Sequence, residues 1–171
     1  MMRAAALVAA TFLAMEAVSY ASHRWVMHGI AFSWHRSHHL PASGRFEKND
    51  RFPIAFSALG FGLFLIAAMG PARATVFWVA VGVTAYGVAY LFVHELCIHR
   101  RLPIRVGKGP YWRWLRDSHQ VHHRFSGEPY GMLLPFVSHS RRESARNELP
   151  TLDRSGYASR RDNARSARTR L

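Results

Sequence analysis

Long uncharged stretches alternate with polar segments along the chain. Residues 52–72 contain no charged side chain, and residues 74–93 are likewise uncharged. As α-helices, with a rise of about 1.5 Å per residue, such stretches would span about 30 Å, the thickness of the hydrocarbon core of a bilayer. The turn between them, Gly70-Pro71-Ala72-Arg73, contains helix breakers. The pattern predicts a transmembrane hairpin, and the alternative is a buried helical hairpin of a soluble protein.

Another apolar stretch runs from Ala4 to Ser22, and its one charged residue is Glu16. The positive start at Arg3 would also suit a signal peptide, but no good cleavage site follows and a histidine pattern begins at once at His23. We therefore expect an uncleaved first spanning helix.

The distribution of arginine predicts the orientation in the membrane. Three spans place residues 23–51 and 94–171 on the same side, and both segments are rich in arginine. The opposite side would carry only Arg3 and Arg73. The positive-inside rule therefore places the two arginine-rich segments in the cytoplasm.

Composition and charge support a membrane protein with one domain. The chain has 171 residues and a formal net charge of +13. Such a charge suits either nucleic acid or an anionic membrane surface, but the apolar blocks favour the membrane and no nucleic-acid-binding motif is present. The single cysteine, Cys97, excludes an internal disulfide and cysteine-based metal frameworks. The predicted fold class is an all-α integral membrane helical bundle.

Two segments near the carboxyl terminus differ from the spans. Tyr130 to Val137 is apolar but too short to cross a bilayer, so we expect it to dip into the interface or to cover a site. Residues 138–171 are dominated by arginine and serine, which predicts a disordered basic tail resting on anionic lipid. His139 fits no pattern and is interpreted as solvated. The membrane-embedded domain would then comprise residues 1–137.

Ten of the eleven histidines fall into four groups, which form a two-fold repeat of a spaced pair followed by His-x-x-His-His. The groups are His23 and His28; His35, His38 and His39; His94 and His99; and His119, His122 and His123. The second repeat contains an inserted loop between its pair and its triad, at Pro103 to Tyr111. Two copies of this pattern indicate metal binding.

Helix geometry supports ligation by the triads and leaves the spaced pairs open. In an α-helix, positions i, i+3 and i+4 lie on one face, so each triad presents three imidazoles together. Residues five apart lie about 140° away from each other around a straight α-helix. The paired rings could share a centre if the helix ends, if it loosens into a π-turn, or if the metals lie between the two side chains. Because both pairs follow apolar spans, the site should lie at the membrane–cytoplasm boundary.

The number of imidazoles favours two metal ions. Zinc usually has four ligands, whereas two irons with about five nitrogens each would keep positions for oxygen species. Imidazole suits iron, copper, nickel and zinc, so spacing alone does not name the metal. A haem protein would need only two axial histidines per haem.

The order of the groups resembles the β-carotene hydroxylase branch of the fatty acid hydroxylase superfamily, over about residues 10–137. The histidine set points to the superfamily, and Phe46-Glu47-x-Asn49-Asp50 narrows the resemblance to carotenoid hydroxylases. Glu95 follows His94 where Asp is expected in relatives. The residues that carry the resemblance are Met15-Glu16, Met27-His28-Gly29, Trp34-His35, Gly44-Arg45-Phe46-Glu47-Lys48-Asn49-Asp50 and Thr84-Ala85-Tyr86-Gly87.

The resemblance implies a non-haem di-iron enzyme of the bacterial inner membrane, with O2 as co-substrate and two external electrons from a ferredoxin-type donor. It implies hydroxylation of β-ionone rings at C3, from β-carotene to β-cryptoxanthin and then zeaxanthin. The carotenoid would enter from the bilayer. The rival enzymes are a related hydroxylase or desaturase of sterols, fatty acids or sphingolipids, and a carotenoid ketolase. A membrane metal transporter or sensor is a further alternative, but it would favour ligands within the spans.

Several carboxylates and one amide are candidates to support the ligands. Glu16 precedes His23 by seven positions, or two helical turns, so both lie on about the same face. A carboxylate within a span is costly, and we expect it to orient a ligand or carry protons, unless it simply pairs with an arginine. The other candidates are Asn49, Asp50, Glu95 and Asp117.

Overall fold

The computed structural model describes residues 1–40, 46–102 and 107–148, and this part of the chain is helical without a strand. Gly44 and Arg45, residues 103–106 of the inserted loop and residues 149–171 of the basic tail lie outside the described residues. The elements are α1 (Met2–Ala21), a π-helix π1 (Ser22–Ile30), α2 (Phe32–His39), a 3-10 turn (Lys48–Asp50), α3 (Arg51–Met69), α4 (Arg73–Leu91), a second π-helix π2 (Phe92–Ile98), α5 (Pro110–Phe125) and α6 (His139–Glu148).

Three helical segments are long and apolar enough to cross a membrane: Met2–Ile30, Lys48–Met69 and Arg73–Ile98. Their large apolar side chains mostly face outward, as expected where lipid is the solvent; Leu13, Ile54 and Phe61 are all more than 60% exposed. The predicted all-α membrane bundle is confirmed.

The central span α4 packs against both α1 and α3. Contact with α1 is close at Gly82, where a Cβ atom would lie 2.7 Å from Cβ of Thr11 and 2.9 Å from the carbonyl oxygen of Val8. Small residues at such crossings let two helix backbones approach each other. This packing fixes the depth and rotation of the two helices that lead into π1 and π2.

A small apolar core at the end of the third span holds α5 against π2. It comprises Val93, Ile98, Leu115 and Met132, all of them at most 4% exposed. Met132 belongs to the segment that joins α5 to α6, residues 126–138, which is called the strap below. The core therefore fixes both α5 and the strap beneath the second spaced histidine pair.

The start of the basic tail differs from the prediction of disorder, because residues His139–Glu148 form α6. The carboxylate of Glu128 accepts hydrogen bonds from the backbone amide and the hydroxyl of Ser138, just before this helix begins. Carboxylates that accept from backbone amides at a helix amino terminus favour the helix. Repeated arginine and serine gave no apolar periodicity from which the helix could be predicted.

Candidate metal centre

A π-helix brings the two rings of each spaced pair together: His23 and His28 lie within π1, and His94 lies in π2 with His99 directly after its last residue. The backbone amide of His99 donates to the carbonyl of His94 over 2.9 Å, a hydrogen bond that spans five residues. The ring centroids of His94 and His99 are 4.5 Å apart, and those of His23 and His28 are 5.1 Å apart. Of the geometries left open by the sequence, the π-turn is the one observed.

Eight histidines form two compact groups, in each of which the ligand nitrogens all lie within 4.8 Å of one another. The first cluster consists of His23, His28, His35 and His122, and the second of His38, His99, His119 and His123. The two remaining predicted ligands lie beside them: Nε2 of His39 is 3.1 Å from that of His35, and Nε2 of His94 is 3.0 Å from that of His38. All ten predicted histidines are therefore brought together.

The middle histidines of the two triads are exchanged between the clusters. His122 follows His119 on α5, yet its Nε2 is 3.1 Å from Nε2 of His28 in the first repeat. His38 lies on α2 in the first repeat, yet it belongs to the second cluster. Each cluster thus draws its nitrogens from both halves of the chain.

Hydrogen bonds made by Nδ1 determine which nitrogen of several rings faces a cluster. Nδ1 of His23 donates to the carbonyl of Tyr130 over 2.9 Å, and Nδ1 of His35 donates to Oδ1 of Asn49 over 2.7 Å. A neutral imidazole carries one proton, so Nε2 of these rings presents a lone pair. Three more rings donate from Nδ1 in this way, to oxygens of Gly127, Glu47 and Glu95 respectively: His122, His38 and His94.

These lone pairs point at one another. Nε2 of His23 lies 3.1 Å from Nε2 of His35, and Nε2 of His38 lies 3.0 Å from Nε2 of His94. Desolvation by burial lowers the pKa of His35 to about 3 and the pKa of His38 well below its usual value, so these rings are neutral at pH 7. Facing lone pairs repel unless they share a cation. The donor set therefore fits a metal ion in each cluster.

The spacing of the nitrogens also indicates the coordination geometry. With metal–imidazole bonds of about 2.1 Å, adjacent ligands of an octahedral ion are about 3.0 Å apart, against about 3.4 Å for a tetrahedral ion. The short Nε2–Nε2 distances within the two clusters are 2.9–3.1 Å. These short contacts are compatible with adjacent ligands of an octahedral ion, and spacing alone does not name the metal.

Comparison with known proteins agrees with this centre. A family model described as fatty acid hydroxylase matches residues 8–140. The chain belongs to the fatty acid hydroxylase family. The chain is 35% identical over 133 residues to a β-carotene hydroxylase of Paracoccus sp. (strain PC1). The match covers 77% of this chain and 81% of that protein. The predicted resemblance is confirmed.

Further relatives bear related names. The β-carotene hydroxylase of Pantoea ananas is 35% identical over 127 residues, covering 72% of this chain and 70% of that protein. The chloroplastic β-carotene 3-hydroxylase of an Oncidium hybrid cultivar is 37% identical over 139 residues, covering 78% of this chain and 46% of that protein. No solved structure matches the chain. The matches make the chain an oxygenase of this family.

Carboxylates orient two rings of the hydroxylase's second cluster, and an arginine joins them. Glu47 accepts from Nδ1 of His38 at 3.3 Å, and Glu95 accepts from Nδ1 of His94 at 2.6 Å. Arg101 forms ion pairs with Glu95 at 2.5 Å and with Glu47 at 3.5 Å. Sequence reasoning named Glu95 but did not assign a role to Glu47 or Arg101. Glu47 lies within the Phe46–Asp50 run that carries the family resemblance, and this run was the sequence feature from which a role for Glu47 could have been predicted.

The other predicted supporting residues have different neighbours. Asn49 is buried and accepts from His35, as a residue that orients a ligand would. Asp50 accepts from Arg101 at 2.7 Å and from the backbone amide of Glu47, so it reaches the site through those residues. Asp117 lies near Arg116 and Arg113, and burial raises its pKa. These neighbours pair Asp117 with arginines.

Glu16 binds the strap. Its carboxylate accepts hydrogen bonds from the backbone amides of Met132, Leu133 and Leu134 at 2.9–3.2 Å, and from the Tyr86 hydroxyl at 2.6 Å. Successive amides around an oxyanion form an anion-binding nest. These described bonds link Glu16 to a ligand only indirectly, through the strap.

The same strap carries the backbone carbonyls that accept hydrogen bonds from two histidines of the first cluster. The carbonyl of Tyr130 accepts from His23, and the carbonyl of Gly127 accepts from His122 at 2.5 Å. The Tyr130 ring also lies 5.4 Å from that of His28. The expectation that this apolar segment covers the site therefore agrees with its position against the first cluster.

A cavity of about 160 Å³ reaches the centre from within the spanning helices. It lies between α1, α3 and α4, has mostly apolar walls, and ends at His94 and Asn49. Gly87 contributes to the wall, and a Cβ atom built there would meet nothing within 4 Å. The arrangement gives an apolar group a protected place beside the second cluster.

Proposed function

We propose that this enzyme hydroxylates the β-ionone ring of carotenoids at C3, with two irons and O2, converting β-carotene to β-cryptoxanthin and then zeaxanthin. The observation that carries the proposal is an apolar cavity that ends at a ten-histidine centre. The relatives are named β-carotene hydroxylases, and these names support carotenoids as the substrate class. The reaction inserts one oxygen atom of O2 into a C–H bond and reduces the other to water with two electrons and two protons.

The ligand assignment follows from the two clusters. His23, His28, His35, His39 and His122 would hold one iron, and His38, His94, His99, His119 and His123 would hold the other. Such a pair of ions supplies the oxidising power that an unactivated C–H bond requires. The protein provides neutral imidazoles whose Nε2 lone pairs face each ion, and hydrogen bonds from Nδ1 hold several of these rings in place.

The cavity suits the ring end of a carotenoid. A cavity of about 150 Å³ with apolar walls binds benzene and stays dry, so a space of about 160 Å³ is of the size that accepts a six-membered ring. Because the walls come from α1, α3 and α4, the polyene can remain in apolar surroundings while its ring meets the centre. Tight apolar walls also exclude water from the oxidation.

The side of the membrane and the electron donor follow from charge. Arginines are concentrated in the segments that carry the histidines, which supports a cytoplasmic centre in a bacterial inner membrane. A basic face of this kind attracts an acidic ferredoxin-type donor. We expect the rate of reduction by such a donor to fall as salt rises from about 0.01 M to 0.15 M, where the Debye length shortens to about 8 Å. Stopped-flow reduction rates that do not change with salt would contradict this part of the proposal.

Expression in cells that accumulate β-carotene, followed by pigment chromatography, tests the reaction. New 3-hydroxylated pigments are expected, and 4-keto pigments would indicate a ketolase instead. Unchanged β-carotene together with altered sterols or fatty acids would overturn the carotenoid assignment. The control is His38→Ala, which should be inserted in the membrane at the same level and give no product.

Substitution of Gly87 tests the cavity separately. Gly87→Leu would place its side chain in the open space of the wall, so carotenoid hydroxylation is expected to fall by at least about 10–200-fold, the range for a change of one methylene in an apolar pocket. Gly62→Leu is the matched control, since a Cβ atom there also meets nothing within 4 Å and Gly62 does not line the described cavity. Equal activity of both variants, measured by initial rates, would exclude the cavity as the ring site.

A further inference from the structure

The two clusters differ in the chemical nature of the groups that orient their histidines. In the first cluster, the acceptors at Nδ1 of His23 and His122 are backbone carbonyls, and the acceptor at His35 is the amide oxygen of Asn49. These three acceptors are uncharged. They fix the orientation of each ring and leave its electron density little changed.

At two rings on the other side, His38 of the second cluster and the adjoining His94, the acceptors at Nδ1 are carboxylates. Glu47 accepts from His38 and Glu95 accepts from His94, and the two carboxylate side chains are only 4% and 17% exposed. A buried negative charge next to Nδ1 is weakly screened by water and draws the ring proton towards it. The opposite nitrogen, Nε2, then becomes a stronger donor to a metal ion.

Arg101 joins these carboxylates to each other and holds them in place. Its guanidinium group contacts Glu95 at 2.5 Å, Asp50 at 2.7 Å and Glu47 at 3.5 Å. Among the described residues, one guanidinium group thus joins three carboxylates beside the second cluster. The charge of Glu16, near the strap, is bound by three backbone amides and the Tyr86 hydroxyl.

We propose that the two metal positions are inequivalent, and that the carboxylate-backed second cluster binds iron more tightly and is loaded first. The inference rests on the proposed di-iron function and assigns Glu47, Glu95 and Arg101 as positioning residues of one ion. Loss of a carboxylate that supports a ligand histidine typically weakens metal binding by about 10–100-fold. A difference of at least about 10-fold between the two affinities is therefore expected.

The experiment is an anaerobic Fe²⁺ titration of the metal-free full chain in detergent, by equilibrium dialysis with iron analysis. Wild-type protein should bind two equivalents in two separated steps, and ⁵⁷Fe Mössbauer spectra at one equivalent should show a single iron environment. Glu47→Gln should weaken the tighter step by about 10–100-fold and leave the weaker step unchanged. At one equivalent, this variant should give a mixture of two iron environments.

Two matched variants complete the design. Asn49→Asp places a carboxylate at His35 of the first cluster, so it should strengthen the weaker step and bring the two affinities together. Glu143→Gln removes an exposed carboxylate of α6 outside the strap, so neither step should change. If Glu47→Gln does not fold, as judged by size-exclusion chromatography, Glu95→Gln reports on the same cluster.

The possible failures are distinguishable. Two equivalents bound with equal affinity, or equal weakening of both steps by Glu47→Gln, would overturn the inference and leave the di-iron proposal intact. Folded wild-type protein that retains no iron would overturn the di-iron proposal and this inference with it.

Discussion

Replacing His122 with alanine should remove the metal of the first cluster, although His122 belongs by sequence to the second triad. Its Nε2 lies 3.1 Å from that of His28, and its Nδ1 is held by the carbonyl of Gly127. Loss of a ligand costs more than loss of its supporting hydrogen bond, so hydroxylation is expected to fall by more than about 100-fold. Iron analysis should find about one equivalent in the purified variant, compared with two in the wild type.

Double variants test the exchange itself. Combining His122→Ala with His28→Ala removes two nitrogens from one cluster, so about one equivalent of iron should remain. Combining His122→Ala with His99→Ala damages both clusters, and almost no iron should remain. If the second combination kept one equivalent and the first kept none, His122 would belong with its own triad, and the exchanged arrangement would be wrong.

Substitution of Glu16 should detach the strap from the spanning helices. Glu16→Gln keeps one acceptor oxygen but directs an amide N–H₂ towards backbone amides that are themselves donors. Hydrogen bonds to a charged group contribute about 1.5–3 kcal/mol each. The strap carries the carbonyls that orient His23 and His122, so hydroxylation is expected to fall by at least about 10-fold.

Limited proteolysis provides a readout that activity alone does not give. Glu16→Gln should be cleaved within residues 126–138 much faster than the wild type, and its iron loss on dialysis should be faster from the first cluster. Glu143→Gln, which changes an exposed carboxylate of α6, is the control and should match the wild type. Unchanged cleavage together with full loss of activity would instead favour proton transfer by Glu16, the other role predicted from the sequence.

The spans and the histidine set could be predicted because both depend on local pattern. Charge-free runs of bilayer length correspond closely to α3 and α4, whose observed bounds are Arg51–Met69 and Arg73–Leu91. The spacing within each triad placed three rings on one helical face. The exchange of His38 and His122 could not be predicted in this way, because it depends on how α2 and α5 are oriented towards each other.

The roles of the supporting residues depend on contacts between distant parts of the chain. Glu16 binds backbone amides more than 110 positions away. Every residue except proline has such an amide, so the sequence does not show which amides a carboxylate will bind. Arg101 contributed to the sequence analysis only as one of the arginines of residues 94–171 that predict the orientation in the membrane. A sequence does not show that three carboxylates lie around it. The π-turn was one of three geometries predicted for the spaced pairs. The sequence could not select it, because the selection depends on how the rings pack against histidines from other helices.

Exchange of the middle histidines sets an order of events during synthesis. The first cluster draws three of its four nitrogens from residues up to position 35, yet it waits for His122. A nascent chain that still holds α5 inside the ribosome has neither cluster complete, although all three spans have already been made. All three spans can therefore enter the bilayer before either cluster has its full set of histidines.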